Sequence, residues 1–178
     1  MAAAELEALG RTLRLARAEA LGFTYWLVAR YRGGDVVELD DEVMAASRAV
    51  SNDNRHLTLC LTAAAQAWRG GDPLALAWAD EAAGSNSQRA DLIAFVQACR
   101  LALGATDVDP EAVAGALSSA HPRHRLQVCA LMAYARPETR GLWRDRVGPR
   151  ELDLPGSTRL EILSPDECAR VFAGRPPW

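Results

Sequence analysis

Apolar positions recur along this chain at helical spacing almost from its first residues. The stripe Leu6, Leu9, Leu13, Ala16, Ala20, Phe23, Leu27 and Tyr31 advances in steps of three and four, which places all of them on one face of a helix. It predicts a helix over 3–32, or two helices meeting at Gly22, stopped by Gly33 and Gly34. Later runs are bounded by capping residues at their starts and by glycine or proline at their ends. Asp40 or Asp41 opens a helix to about Ser51, and the turn Ser51-Asn52-Asp53-Asn54 leads into another over 55–69. Asp72-Pro73 opens a helix carrying Leu74, Ala77, Trp78 and Ala82, which Gly84 ends. Ser85-Asn86-Ser87 caps a helix over 88–103, with Gly104 after it. Asp109-Pro110 and His121-Pro122 open two more, to Ala120 and Ala135, and 138–147 forms a last one after Pro137. Proline directly behind the cap suits the first helical turn, whose N–H groups lack helical partners.

Beyond Gly148 the pattern changes. Arg150–Leu154 and Arg159–Leu163 alternate polar and apolar residues around Pro155-Gly156-Ser157-Thr158, the pattern of a small β-hairpin. Ser164-Pro165-Asp166-Glu167 then has the form of a capping box, with a short helix to Ala173. The chain therefore reads as all-α over 1–148, with residues 149–178 forming a cap of β-hairpin, helix and tail rather than a second domain.

Aligning the helices on their stops shows a recurrence. Gly34, Gly71, Gly104 and Pro137 are spaced by 37, 33 and 33 residues. Three residues before each stop stand Tyr31, Trp68, Leu101 and Tyr134. Eight before stand Trp26, Ala63, Val96 and Cys129, and eleven before stand Phe23, Cys60, Ile93 and Leu126. All are apolar or aromatic and share one broad face, so they are expected to be equivalent core positions. A period of this length is that of one helical hairpin in repeat proteins, whose units bury their apolar faces only by stacking.

Composition narrows the functional classes. Apolar residues make up 49% of the 178 residues and aromatics only 6%, so the core must be built from Leu, Val and Ala. The net charge of −3 gives no electrostatic reason to expect a nucleic-acid partner. Every basic residue is arginine, which suits bidentate contacts to carboxylates but equally follows from Arg-rich codon usage. No leader pattern and no apolar run long enough to span a bilayer is visible. A cytoplasmic protein is therefore expected, with Cys60, Cys99, Cys129 and Cys168 reduced.

Motifs for catalysis or metal binding are weak. His56 and Cys60 share a helical face, and His121, His124 and Cys129 are close in sequence. Zinc sites need a fuller ligand set, and these cysteines occupy apolar stripe positions, so buried free thiols are expected and no metal or cofactor is assigned. Asp107-Val108-Asp109 would suit a divalent cation, yet Pro110 behind it reads as a connector and helix cap. The basic groups His121 to Arg125 and Arg140, Arg144 and Arg146 read as solvated faces. No nucleophile signature is present, and no catalytic residue is assigned.

The segment Ala63–Ala77, with its helix, Gly-Asp turn and Ala-rich second helix, resembles bacterial tetratricopeptide-like repeats. The likeness extends over about 21–147, without the family's Trp-Leu-Gly-Tyr pattern in the first helix. It implies stacked antiparallel hairpins, an α-solenoid, acting as a non-enzymatic scaffold for a protein or peptide partner. In such arrays the first helices line the concave groove. The implied binding residues are then Arg30, Gln66, Gln97, Arg100 and Gln127, with Arg30 and Arg100 placed to clamp an acidic segment. The alternative is a small helical enzyme or ligand-sensing domain with a site between helices.

Overall fold

The computed structural model describes residues 53–85, 87–117, 120–148, 151 and 162–178. These form α1 (Asp53–Arg69), α2 (Ala75–Ala83), α3 (Ala90–Ala102), α4 (Pro110–Ala116), α5 (Pro122–Ala135), a 3-10 turn (Pro137–Thr139), α6 (Arg140–Asp145) and α7 (Pro165–Phe172). Among the described residues all regular structure is helical. The N-terminal stripe, the Asp40–Asp41 cap and the positions Phe23, Trp26, Arg30 and Tyr31 lie outside them.

Local sequence explains most of the boundaries. Ser164 Oγ accepts from the Glu167 N–H at 3.2 Å while Glu167 Oε2 accepts from the Ser164 N–H at 2.6 Å, so the expected capping box opens α7. Asp109 caps α4 by accepting from the Glu111 N–H at 2.9 Å. The stops also follow the sequence. Gly71 and Gly104 have φ of 69° and 100°, a region open to glycine at little cost. Each closes its helix with a pair of reversed hydrogen bonds. Gly71 N–H reaches Trp68 O and Asp72 N–H reaches Ala67 O, while Gly104 N–H reaches Leu101 O and Ala105 N–H reaches Arg100 O. This is the Schellman arrangement. Two starts differ from expectation: α3 begins at Ala90, with Arg89 at its N-cap and no side-chain cap, rather than at 88 behind Ser85-Asn86-Ser87. Asp72 does not cap a helix at Pro73; its carboxylate accepts from the Leu74 N–H at 2.9 Å in a local turn, and α2 begins at Ala75.

The centre of the core is α5. Leu126, Gln127, Val128, Cys129, Ala130, Leu131, Met132 and Ala133 are all buried, because α3, α6 and α7 pack around this one helix. A helix enclosed on every side has no polar face to keep, and its Ala and Cys residues let neighbours approach closely. Around it, α1 pairs with α2, α2 with α3, and α3 with α4. Phe95, Leu57, Leu61, Leu131 and Met132 are the largest fully buried side chains, each stabilising the fold by about 1.5–3 kcal/mol relative to exposure.

The proposed equivalence of core positions holds only in part. Ala63, Val96, Cys129, Cys60, Leu126 and Leu101 are buried, but Ile93 is 43% and Tyr134 37% exposed. Trp68 and Tyr134 do not occupy matching interior sites. They touch each other, edge to face, with ring centroids 5.2 Å apart. Different neighbours cover each repeat-like position, so a shared offset from the helix stop does not give shared burial.

The C-terminal segment also departs from the expected form. Of the residues expected in two strands, 150, 152–154 and 159–161 lie outside the described set. Glu151 belongs to a helical turn, and Ile162 and Leu163 form a bend. That bend is held by α5. Gln127 Oε1 accepts from the N–H groups of Ile162 at 3.1 Å and Leu163 at 3.0 Å, and Gln127 Nε2 donates to the Leu163 carbonyl. The same segment returns to α1, where Arg69 donates to Ile162 O at 2.7 Å and to Glu167 Oε2 at 3.0 Å. Trp178 packs edge to face on Trp68 at 4.6 Å. In an open array each unit meets only its neighbours; here the end of the chain closes onto α1.

Candidate functional site

Along α3, Ala90, Ile93, Ala94, Gln97 and Arg100 lie on one face, related by spacings of three and four. On α4, Ala112, Val113 and Ala116 do the same, with the N-cap Asp109 on the same side. The two stripes and the connector residues Asp107 and Val108 line a groove of about 430 Å³. Ala90, Ala94, Ala112 and Ala116 lower its walls. The residue that projects is Ile93, an apolar side chain left 43% exposed where the helical pattern calls for burial. Leu74 and Leu142 are more exposed still, but neither lines this groove.

The groove has a charged end organised by one arginine. Arg100 Nε donates to Asp80 Oδ1 at 2.6 Å, its NH1 to Gln97 Oε1 at 2.9 Å, and its NH2 to both Asp107 oxygens at 3.0 and 2.9 Å. The hydrogen bond with Asp80, then that with Asp107, holds the guanidinium proton more tightly than usual against the opposing effect of burial. Arg100 in turn lowers the Asp107 carboxyl below its ordinary range. The Asp80 and Asp107 side chains remain 49% and 67% exposed while Arg100 is 15% exposed. Solvent, and anything docking here, therefore meets carboxylates. Asp109 adds another at the groove wall.

Two other polar groupings hold the fold together. His124 Nδ1 lies 2.9 Å from Asp91 Oδ2, and Arg89 grips the same carboxylate through Nε at 3.2 Å and NH2 at 2.7 Å. Burial pushes the Asp91 carboxyl up, but hydrogen bonds from Arg89 and His124 outweigh it, so the group stays below its usual value. Since Asp91 and His124 stand in the first turns of α3 and α5, the pair ties those helix starts together, with the His124 ring stacked on Phe95 at 5.7 Å. Arg125 bridges from α5 to Glu151 at 3.1 Å.

The residues expected to bind a partner are placed differently from one another. Gln97 and Arg100 share the groove. Gln66 is partly buried on α1 and does not line it. Gln127 is 4% exposed and spends its amide on the 162–163 bend, so its polar atoms face the interior. Arg30 lies outside the described residues. Asp80, Ile93, Asp107 and Asp109 carry no binding motif in the sequence. The approach of Asp107 to Arg100 was readable from their seven-residue separation across the Gly104 stop; that of Asp80, twenty residues away, depends on how α2 packs against α3. All four cysteines are buried and outside any disulfide, and burial pushes the Cys99 and Cys129 thiols up to about 12. Among the described residues, no group of three or more His, Cys, Asp or Glu is arranged to hold a metal ion, and no helix is long and apolar enough to cross a membrane.

No family model, curated protein or solved structure matches this chain.

Proposed function

We propose that this chain is a non-enzymatic interaction module that docks a protein partner in the groove between α3 and α4. The observation that carries the reading is Ile93, an isoleucine on a helical stripe, left open to water at the lip of a preformed apolar groove. Leaving such a side chain 43% exposed forgoes somewhat under half of the about 1.5–3 kcal/mol of full burial, which a partner covering it would recover. Two helices flanking an alanine-walled trough offer the geometry in which a third helix lays down its apolar face. A stacked-hairpin arrangement would fit this role: α1 pairs with α2, α3 with α4 and α5 with α6, and α3 meets both α2 and α5. The four buried thiols suit a reducing, cytoplasmic setting.

A random-peptide display library panned on the intact chain tests this. Enriched peptides should bind the wild type, lose at least about tenfold in affinity against Ile93→Asp, and bind Leu142→Asp unchanged. Binding indifferent to Ile93 would reject the groove as the docking surface. The volume also lies in the range of small-molecule sites, about 300–1,000 Å³, and the polar end at Gln97, Arg100 and Asp107 would orient such a ligand. A small molecule that raises the melting temperature of the wild type but not of Ile93→Asp, with no peptide enriched, would favour that second reading.

A further inference from the structure

Resting on the docking role of the α3/α4 groove, we propose that its occupant is an amphipathic helical segment of a partner protein whose apolar stripe is flanked by arginine or lysine, not by acidic residues. The sign follows from which charges face outward. Among the described residues, Arg100 is the sole guanidinium lining the groove, and its donors are directed to Asp80, Gln97 and both oxygens of Asp107. An incoming carboxylate would have to displace one of these bonds and then lie beside two exposed aspartates. A cation meets the opposite situation. Asp80 and Asp107 each retain exposed carboxylate surface beyond the bond to Arg100, and Asp109 uses one oxygen on the α4 cap. Among the described residues, two carboxylates, Asp107 and Asp109, line the groove against the one guanidinium of Arg100, and Arg100 is also paired with Asp80 beside it, so this end is net negative.

Arg100 is thus a positioning residue. It fixes carboxylates from α2 and from the α3–α4 connector at one end of the groove, so the anionic surface is preorganised and does not have to be ordered on binding. The small side chains at Ala90, Ala94, Ala112 and Ala116 set the complementary requirement. They admit a helix that approaches closely and inserts branched or linear apolar side chains beside Ile93 and Val113.

The peptides selected on the intact chain provide the test, measured by fluorescence anisotropy against wild type, Ile93→Asp and the double variant Asp107→Asn/Asp109→Asn. Asparagine keeps one of the two acceptors for Arg100 and the helix cap, so the double variant removes charge at the loss of one Arg100 contact; unchanged circular dichroism and melting temperature verify that the fold survives. The proposal expects enriched peptides to carry arginine or lysine beside an apolar stripe, to bind the double variant about three- to tenfold more weakly, and to weaken with added salt. Peptides that need Ile93 yet carry acidic residues, or that bind the double variant as well or better, would overturn the charge assignment while leaving the docking role intact. Peptides indifferent to Ile93, or no enrichment at all, would overturn both. Enrichment of peptides reproducing the chain's own Leu6–Ala20 sequence would assign the groove to this chain itself and overturn the partner.

Discussion

Gln127 holds both backbone polar groups of Leu163, accepting from its N–H at 3.0 Å and donating to its carbonyl. The side-chain amide of a core helix thereby supplies the hydrogen bonds that a neighbouring strand would otherwise supply. Without it, the buried backbone of Ile162 and Leu163 would lack these partners, and an unsatisfied buried polar group costs about 1–3 kcal/mol. Gln127→Leu, similar in size and apolar, should therefore destabilise the fold by about 2–4 kcal/mol in urea unfolding, since two N–H groups and a carbonyl lose their partner. Amide exchange at Ile162 and Leu163 should accelerate beyond the global change. Exchange rising only in proportion to global stability would show that the bend is held by its apolar contacts instead.

Trp68 gives a second test because its role differs from that expected of a core position. It stands between Tyr134 and Trp178, edge to face with both, and is only partly buried. Trp68→Ala should cost about 1–3 kcal/mol, less than the roughly 3–5 kcal/mol typical of a fully buried tryptophan. A double-mutant cycle with Tyr134→Ala should give a coupling of about 0.5–1.5 kcal/mol. A coupling indistinguishable from zero would mean that the two rings contribute independently.

The acid limb of stability should depend on Asp91. Its folded carboxyl is held below the unfolded value of about 3.9 by Arg89 and His124. The contribution of a depressed carboxyl is fully present above the unfolded pKa and is lost as pH falls through the folded one. Asp91→Asn should therefore flatten the decline in stability below about pH 4 and leave its shape at higher pH less affected. An unchanged acid limb in urea titrations at constant ionic strength would count against this pairing.

The thiols provide a readout of the core. With Cys99 and Cys129 pushed up to about 12 by burial, neither supplies appreciable thiolate near neutral pH, and alkylation requires the thiolate. Cys60, Cys99, Cys129 and Cys168 should resist iodoacetamide in the native protein and react after unfolding. A native cysteine labelled at the rate of a free thiol would place it outside the core.

What was legible in the sequence was local. The capping box at Ser164 and Glu167, the Asp109 cap, the helix stops at Gly71 and Gly104 and the burial of the cysteines follow from residues adjacent in the chain or at helical spacing. What was not legible depended on which helices meet. Ile93 fits an apolar stripe as well as Val96 does, and only the position of α4 decides that one is exposed at a groove and the other is in the core. Gln127 looks like a groove residue on a first helix until the 162–163 bend closes over it. The alternating residues after Gly148 suggest a strand, but Ile162 and Leu163 find their hydrogen bonds on a helix. Arg100 has the spacing of a presented arginine, and its partner Asp80 lies on another element.

The account turns on whether Ile93 meets a partner, and one measurement addresses that directly. A photo-crosslinking amino acid placed at position 93 of the intact chain, in the cells that naturally make it, would be activated and its adduct sequenced by mass spectrometry, with the same residue at Leu142, 65% exposed on α6, as the control. The account predicts one discrete protein adduct at position 93, joined through an apolar segment rich in arginine or lysine, absent at position 142 and diminished by Asp107→Asn/Asp109→Asn. No adduct at position 93, or the same diffuse products at both positions, would contradict it.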